Sequence, residues 1–202
     1  MDAGGKIMEY ISHCTSPLGG ITIASSEHAI TGLWFDGQKY YAAGLDLDWV
    51  SEQLRQTRGG RPENFPPVML AARRWFDQYF LGQEPGFLPP LEPKGTAFQK
   101  RVWDILLTIP YGTTMTYGQI ASRIASEQGL PHMSAQAVGG AVGHNPISIL
   151  IPCHRVIGSS GSLTGYAGGL DRKVRLLQLE GADMSGMRMP DGQEIRLDFP
   201  DD

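Results

Sequence analysis

The chain has 202 residues, enough for one large domain or two small ones, with 41% hydrophobic residues, 19% charged residues and a formal net charge of −4. That balance argues against a simple basic nucleic-acid binder, and no apolar run reaches the roughly 18 residues a membrane span needs. The opening MDAGGKIMEYISHC lacks the basic and apolar regions of a signal peptide, so a cytoplasmic protein with no membrane partner is expected.

In chain order, residues 7–36 read as short strands. Two apolar runs, Ile21–Ala24 and Ile30–Phe35, flank the polar SSEH, the pattern of a β-hairpin. Residues 46–64 show no clear periodicity, and RGGRPENFPP reads as a loop. VMLAARRWFDQYFLG places Val68, Ala71, Ala72, Trp75, Phe76, Tyr79 and Phe80 at helical spacing, with Gly82 as a stop. Three prolines between 89 and 93 predict an interdomain linker.

Beyond the linker, Thr96 and Gln99 form a capping-box pattern. Phe98, Val102, Ile105, Leu106 and Ile109 follow on one helical face, stopped by Pro110 and Gly112. A second capping box, Thr116 with Gln119, opens a helix to about Glu127, and Ser134 caps a third, AQAVGGAVGHN, ending near Pro146. Two short helices joined by a turn suggest a helix-turn-helix. ISILIP is strand-like, a Gly/Ser-rich loop follows, and Asp171 is placed to cap DRKVRLLQLEG up to Gly181. The last twenty residues are acidic and Met-rich and read as a loosely ordered tail. The expected units are a small α/β domain over 1–93, a mostly helical domain over 94–182 and a tail over 183–202. Residues 94–182 carry eight Lys/Arg against four Asp/Glu, so the basic surface lies in the middle unit alone.

The third helix holds Gly139, Gly140 and Gly143 with only Ala and Val between them, and each interior glycine costs about 0.5–1 kcal/mol against alanine. Close helix packing and close approach of a partner explain this equally well. Of the two cysteines, Cys14 reads as packing; with His13 and His28 it makes only a weak metal set, so no metal and no cofactor are expected. Cys153 differs. Pro152 precedes it, His154 and Arg155 supply cationic potential favouring thiolate, and a glycine-rich loop follows. On a strand His154 points away from Cys153, so either the chain turns there or a water joins them.

PCHRV, preceded by NPISILI and followed by GSSGSLTGYAGG and a helix ending LEG, resembles the O6-alkylguanine–DNA alkyltransferase family. FQKRVWDILLTIPYG, TYGQIA and QAVGGAVGHNP extend the likeness over about 98–181. The resemblance implies an α+β protein: a ribonuclease H-like N-terminal domain, then a winged-helix domain carrying the active-site cysteine. It implies repair of O6-alkylguanine, with O4-alkylthymine as a further candidate, by irreversible single-turnover transfer to Cys153. The implied partner is double-stranded DNA with an alkylated guanine, bound by a monomer through the minor groove with the damaged base flipped out. By the same resemblance His154 relays the proton through water, Glu180 orients His154, Asn145 holds the turn before the cysteine, and Tyr117 hydrogen-bonds the base. Tyr166, with the backbone of Val156 and Ala167, lines the guanine pocket, which Gly168 makes roomy. Gln136, Ala137, Gly139 and Gly140 meet the groove. Most well-known members carry arginine where this chain has Gln136. A lesion sensor without chemistry, a cysteine hydrolase and an inert buried thiol are the competing readings; Cys153 itself argues against the first, and the lack of a direct Cys–His contact on a strand against the second.

Overall fold

The computed structural model describes residues 9–57, 65–191 and 195. Strands β1 (Tyr10–Ser16), β2 (Gly19–Ser25) and β3 (Ile30–Phe35) form an antiparallel meander in that order. The alternation of the strands decides what covers each face. Ile11, Ala24 and Trp34 point to one side, where helix α1 (Leu47–Thr57) lays Val50 and Leu54 against them. Ile21, Ile23, Leu33 and Phe35 point to the other, where α2 (Pro67–Tyr79) adds Met69, Ala72, Trp75, Phe76 and Tyr79.

Helix α1 corrects the expectation of a patternless 46–57. Asp46 caps it, accepting the Asp48 and Trp49 amides at 2.9 and 3.0 Å, and Val50 and Leu54 stand one turn apart. Of the loop expected over 58–67, residues 58–64 lie outside the described residues, and Pro67 already opens α2.

The second half holds α3 (Ala97–Leu106), β4 (Met115–Thr116), α4 (Tyr117–Gln128), α5 (Ala135–Gly143), β5 (Val156–Ile157) and α6 (Leu170–Leu179). The capping boxes at Thr96 and Thr116 and the Ser134 cap all form. Helix α4 ends at left-handed Gly129, and α5 follows as the second arm of the helix-turn-helix. Strands β4 and β5 make a short parallel ladder. Helix α6 starts from Gly169 without a side-chain cap, so Asp171 sits in its first turn and does not cap it.

The two halves share one core, and β3 is the seam. Its Ile30 bridges to Leu91 of the linker, and its Leu33 amide donates to the Pro146 carbonyl at 2.8 Å. Leu33 also accepts the Ser148 amide at 2.9 Å. The described part of the expected tail is docked: Met184, Met187, Met189 and Ile195 pack against Ile157, Leu163, Val174 and Leu177. Residues 192–194 and 196–202 lie outside the described residues. No helix among the described residues is long and apolar enough to cross a membrane.

Candidate active site

Cys153 is carried by a tight hook of chain; the expected ISILIP strand does not form. Asn145, just past α5, holds the hook from inside. Its Oδ1 accepts the Ile147 amide at 3.0 Å, while Nδ2 donates to the Ile151 carbonyl at 2.8 Å and to Cys153 Sγ at 3.0 Å. Ile149 takes a φ of 66°, a left-handed conformation costing a β-branched residue about 1–3 kcal/mol. Pro152 then leads into a single 3-10 turn over Cys153–Arg155, closed by the Arg155 amide on the Pro152 carbonyl at 3.0 Å. The chain therefore turns at the cysteine, yet no hydrogen bond joins Sγ to the His154 ring among the described residues.

His154 is fully buried, and its Nε2 donates to Glu180 Oε1 at 2.7 Å. Burial lowers its pKa against the pull of Glu180, so the ring is neutral at pH 7 with its proton on Nε2. Nδ1, left as the acceptor, is buried and has no partner among the described residues. Glu180 ends α6 and gathers donors from three other segments. Arg155 reaches it with Nε on Oε2 at 2.8 Å and Nη2 on Oε1 at 3.0 Å. The Gly112 amide adds 3.2 Å to Oε2, and the Tyr79 hydroxyl 2.6 Å to Oε1. Burial alone would raise this carboxyl, but the bonds from His154 and Arg155 outweigh it and hold Glu180 far below the usual range.

This arrangement corrects the expected cationic field. Arg155 is committed to Glu180 and to the Ile109 carbonyl, at 2.6 Å, and His154 is neutral. Burial raises Cys153, with Asn145 and then Lys173 pulling it back, so at rest it is a thiol. The cation facing it is Lys173 of α6, fully buried, with Nζ on the Val156 and Thr164 carbonyls at 2.6 and 2.9 Å. Desolvation brings that ammonium down to about 8.

The remaining expected residues surround this centre. Tyr166 is buried with its ring edge-on to His154, centroids 6.4 Å apart. The Tyr117 hydroxyl donates to the Thr164 carbonyl at 3.1 Å, and burial pushes it up to about 12, so it stays a neutral donor. The Val156 carbonyl holds Lys173 and the Ala167 carbonyl accepts the Lys39 amide at 2.9 Å; each keeps a second lone pair. The glycine loop is a fitted wall. A Cβ on Gly165 would lie 3.0 Å from the Tyr117 hydroxyl, and one on Gly168 would lie 2.7 Å from the Tyr166 ring. A side chain at 168 would meet Tyr166 and Phe35.

Gln136, Ala137 and Gly140 stand on the exposed side of α5. A Cβ on Gly140 or Gly143 would meet nothing within 4 Å, and one on Gly139 only the Tyr117 ring at 3.8 Å. Internal packing does not explain these glycines, which leaves approach from outside. Sequence reasoning missed Tyr79 and Lys173. Lys173 carried a signal, since it shares the apolar face of α6 with Leu176 and Leu177. Tyr79 lies 101 residues from Glu180 and carried none. Near the N-terminus, His13 bonds Asp36 at 3.0 Å, and no cluster of metal-binding groups occurs among the described residues.

Comparison with known proteins matches both halves of the chain. Residues 10–93 match the family model of the 6-O-methylguanine DNA methyltransferase ribonuclease-like domain, and 97–182 that of its DNA binding domain. The methylated-DNA–protein-cysteine methyltransferase of Mycolicibacterium paratuberculosis is 45% identical over 82% of this chain and 88% of its own. That of Haemophilus influenzae is 40% identical over 85% and 86%. Among solved structures, the O6-methylguanine methyltransferase of Mycobacterium tuberculosis superposes with a TM-score of 0.66 at 39% identity, covering 86% of this chain and 93% of its own. The same organism's OGT in complex with DNA gives 0.65 at 37%, covering 88% and 98%.

Proposed function

Because this chain belongs to the 6-O-methylguanine DNA methyltransferase family, we propose that Cys153 is the alkyl acceptor of its repair reaction. The protein is a methylated-DNA–protein-cysteine methyltransferase that binds damaged DNA and repairs it by alkyl transfer. The observation that carries the assignment of residues is the relay around His154. Glu180 fixes the ring through Nε2, while Nδ1 is buried without a partner among the described residues, and the neighbouring residue in the chain is a thiol held by Asn145.

In this reading the Cys153 proton passes through one water to His154 Nδ1, and Glu180 stabilises the imidazolium that forms. Sulfur attacks the alkyl carbon on O6 of an extruded guanine. The S–C bond forms as the C–O6 bond breaks, the electron pair stays with the guanine, and the relayed proton returns to that base. The thioether has no way back, so each molecule acts once. Asn145 positions the sulfur, Lys173 favours the developing thiolate, Tyr117 and Tyr166 hold the base, and the Val156 and Ala167 carbonyls complete the pocket. The bare Ala137–Gly139–Gly140 face fits a minor groove only about 6 Å wide. The division into units 1–93, 94–182 and 183–202, a monomeric state, action on O4-alkylthymine and a cytoplasmic location beside the DNA belong to the same proposal.

Intact mass after mixing with excess methylated duplex tests it. The protein should gain one CH₂, mapped to Cys153 and stopping at one equivalent; no gain, or a gain at another residue, removes Cys153 from the reaction. Gln136 is exposed at the start of α5, where the resemblance implies an arginine in most well-known members. Gln136→Arg should tighten binding and steepen its salt dependence by about one phosphate's worth of counterion release. Unchanged affinity and repair rate in that variant would take Gln136 out of the mechanism.

A further inference from the structure

We propose that the N-terminal domain makes a DNA contact of its own, with Lys39 taking a backbone phosphate where the groove-facing helix α5 ends. The proposal rests on α5 lying in the groove, and it extends the DNA surface across the seam between the domains.

Ala137, Gly140 and His144 fall three and four residues apart and so share one face of α5. His144 closes that face: its amide and its ring Nδ1 reach the Gly140 carbonyl at 3.2 and 2.7 Å. The ring of Tyr40, from the other domain, stacks on His144 with centroids 4.3 Å apart and planes at 23°. Tyr40 stays 40% exposed and takes a φ of 61°, left-handed and costly for a residue with a Cβ. Lys39 extends over the Tyr40 ring, its ammonium 4.9 Å from the centroid, and it makes no ion pair among the described residues.

The segment that presents these groups is riveted in place. Gln38 Oε1 accepts both the Phe35 amide and the Ser148 hydroxyl at 3.0 Å, tying the turn to the hook before Cys153. The Lys39 amide on the Ala167 carbonyl, at 2.9 Å, ties it to the pocket wall. An exposed cation on a stacked aromatic pair, held at a strained φ, thus continues the bare face of α5. Among the described residues that cation meets the face of the Tyr40 ring and no anion. A phosphate beside the groove matches its charge, and an ammonium, as a compact point charge, suits a phosphate better than a base edge.

The test is fluorescence anisotropy on an undamaged duplex across a range of salt concentrations. Lys39→Ala should weaken binding at every sequence and lower the slope of log affinity against log salt by about one, while Lys39→Arg restores both. Lys94→Ala, which removes an exposed lysine paired with Glu9 at 2.9 Å, is the control. An unchanged slope in Lys39→Ala, or an equal loss in Lys94→Ala, overturns the proposal. The assignment of Cys153 is read separately by mass, so the two can fail independently.

Discussion

Glu180→Gln should slow alkyl transfer by about a hundredfold or more and lower stability by about 3–5 kcal/mol. The change keeps the shape of the side chain and removes its charge. Arg155 would remain buried, with Nη1 on the Ile109 carbonyl and no anion for Nε and Nη2. A stranded charge of that kind takes a large share of the about 5–15 kcal/mol a domain has. Catalysis suffers separately. An amide facing Nε2 can donate as well as accept, so the tautomer that leaves Nδ1 free is no longer enforced. Glu180→Asp keeps the charge and should recover much of the stability with less of the rate, which separates the two effects. Acid gives a second readout. Glu180 is depressed in the folded protein, so the unfolded chain takes up the proton first and stability falls with pH below about 4.5. Glu180→Gln should lack that component of the fall. Wild-type transfer rates in Glu180→Gln would exclude the relay.

The legible parts of this molecule were the local ones. Capping boxes at Thr96 and Thr116, the Ser134 cap and the hairpin around SSEH depend on residues within a turn of one another, and each formed as read. What escaped was set by distant partners. Ile149 to Pro152 look like strand because three apolar residues run together, yet Asn145 pulls that run into a hook and forces Ile149 to a positive φ. Arg155 looked like a source of positive potential for Cys153, and a carboxylate from the far end of α6 neutralises it. Tyr79 reaches Glu180 from the other domain, so no spacing within either half announces it. The glycines of α5 show the reverse case. Their composition left two explanations standing, and the empty space around a Cβ on Gly140 and Gly143 removed internal packing.

Lys173→Met should slow transfer by about tenfold to a thousandfold while leaving the melting temperature at pH 7 nearly unchanged. An opposite charge within reach of an ionising group shifts it by about one to three pKa units, which sets that range. With Arg155 neutralised, Lys173 is the cation that favours the Cys153 thiolate, and methionine of similar length removes it. The stability terms oppose each other. Lys173 falls from 10.5 when free to about 8 when folded, so keeping it charged at pH 7 costs about 3 kcal/mol, which methionine relieves. Methionine also strands the Val156 carbonyl and leaves the Thr164 carbonyl with the Tyr117 hydroxyl alone, at a cost of about 1–3 kcal/mol. Between pH 8 and 10.5 the unfolded wild-type chain holds a proton that the folded chain has released, so this position adds stability as pH rises through that window. The melting temperature of the wild type should therefore gain on Lys173→Met above pH 8. Transfer as fast as wild type in Lys173→Met would show that the thiolate does not draw on this charge, and a constant difference in melting temperature from pH 7 to 10 would show that Lys173 is not titrating inside the fold.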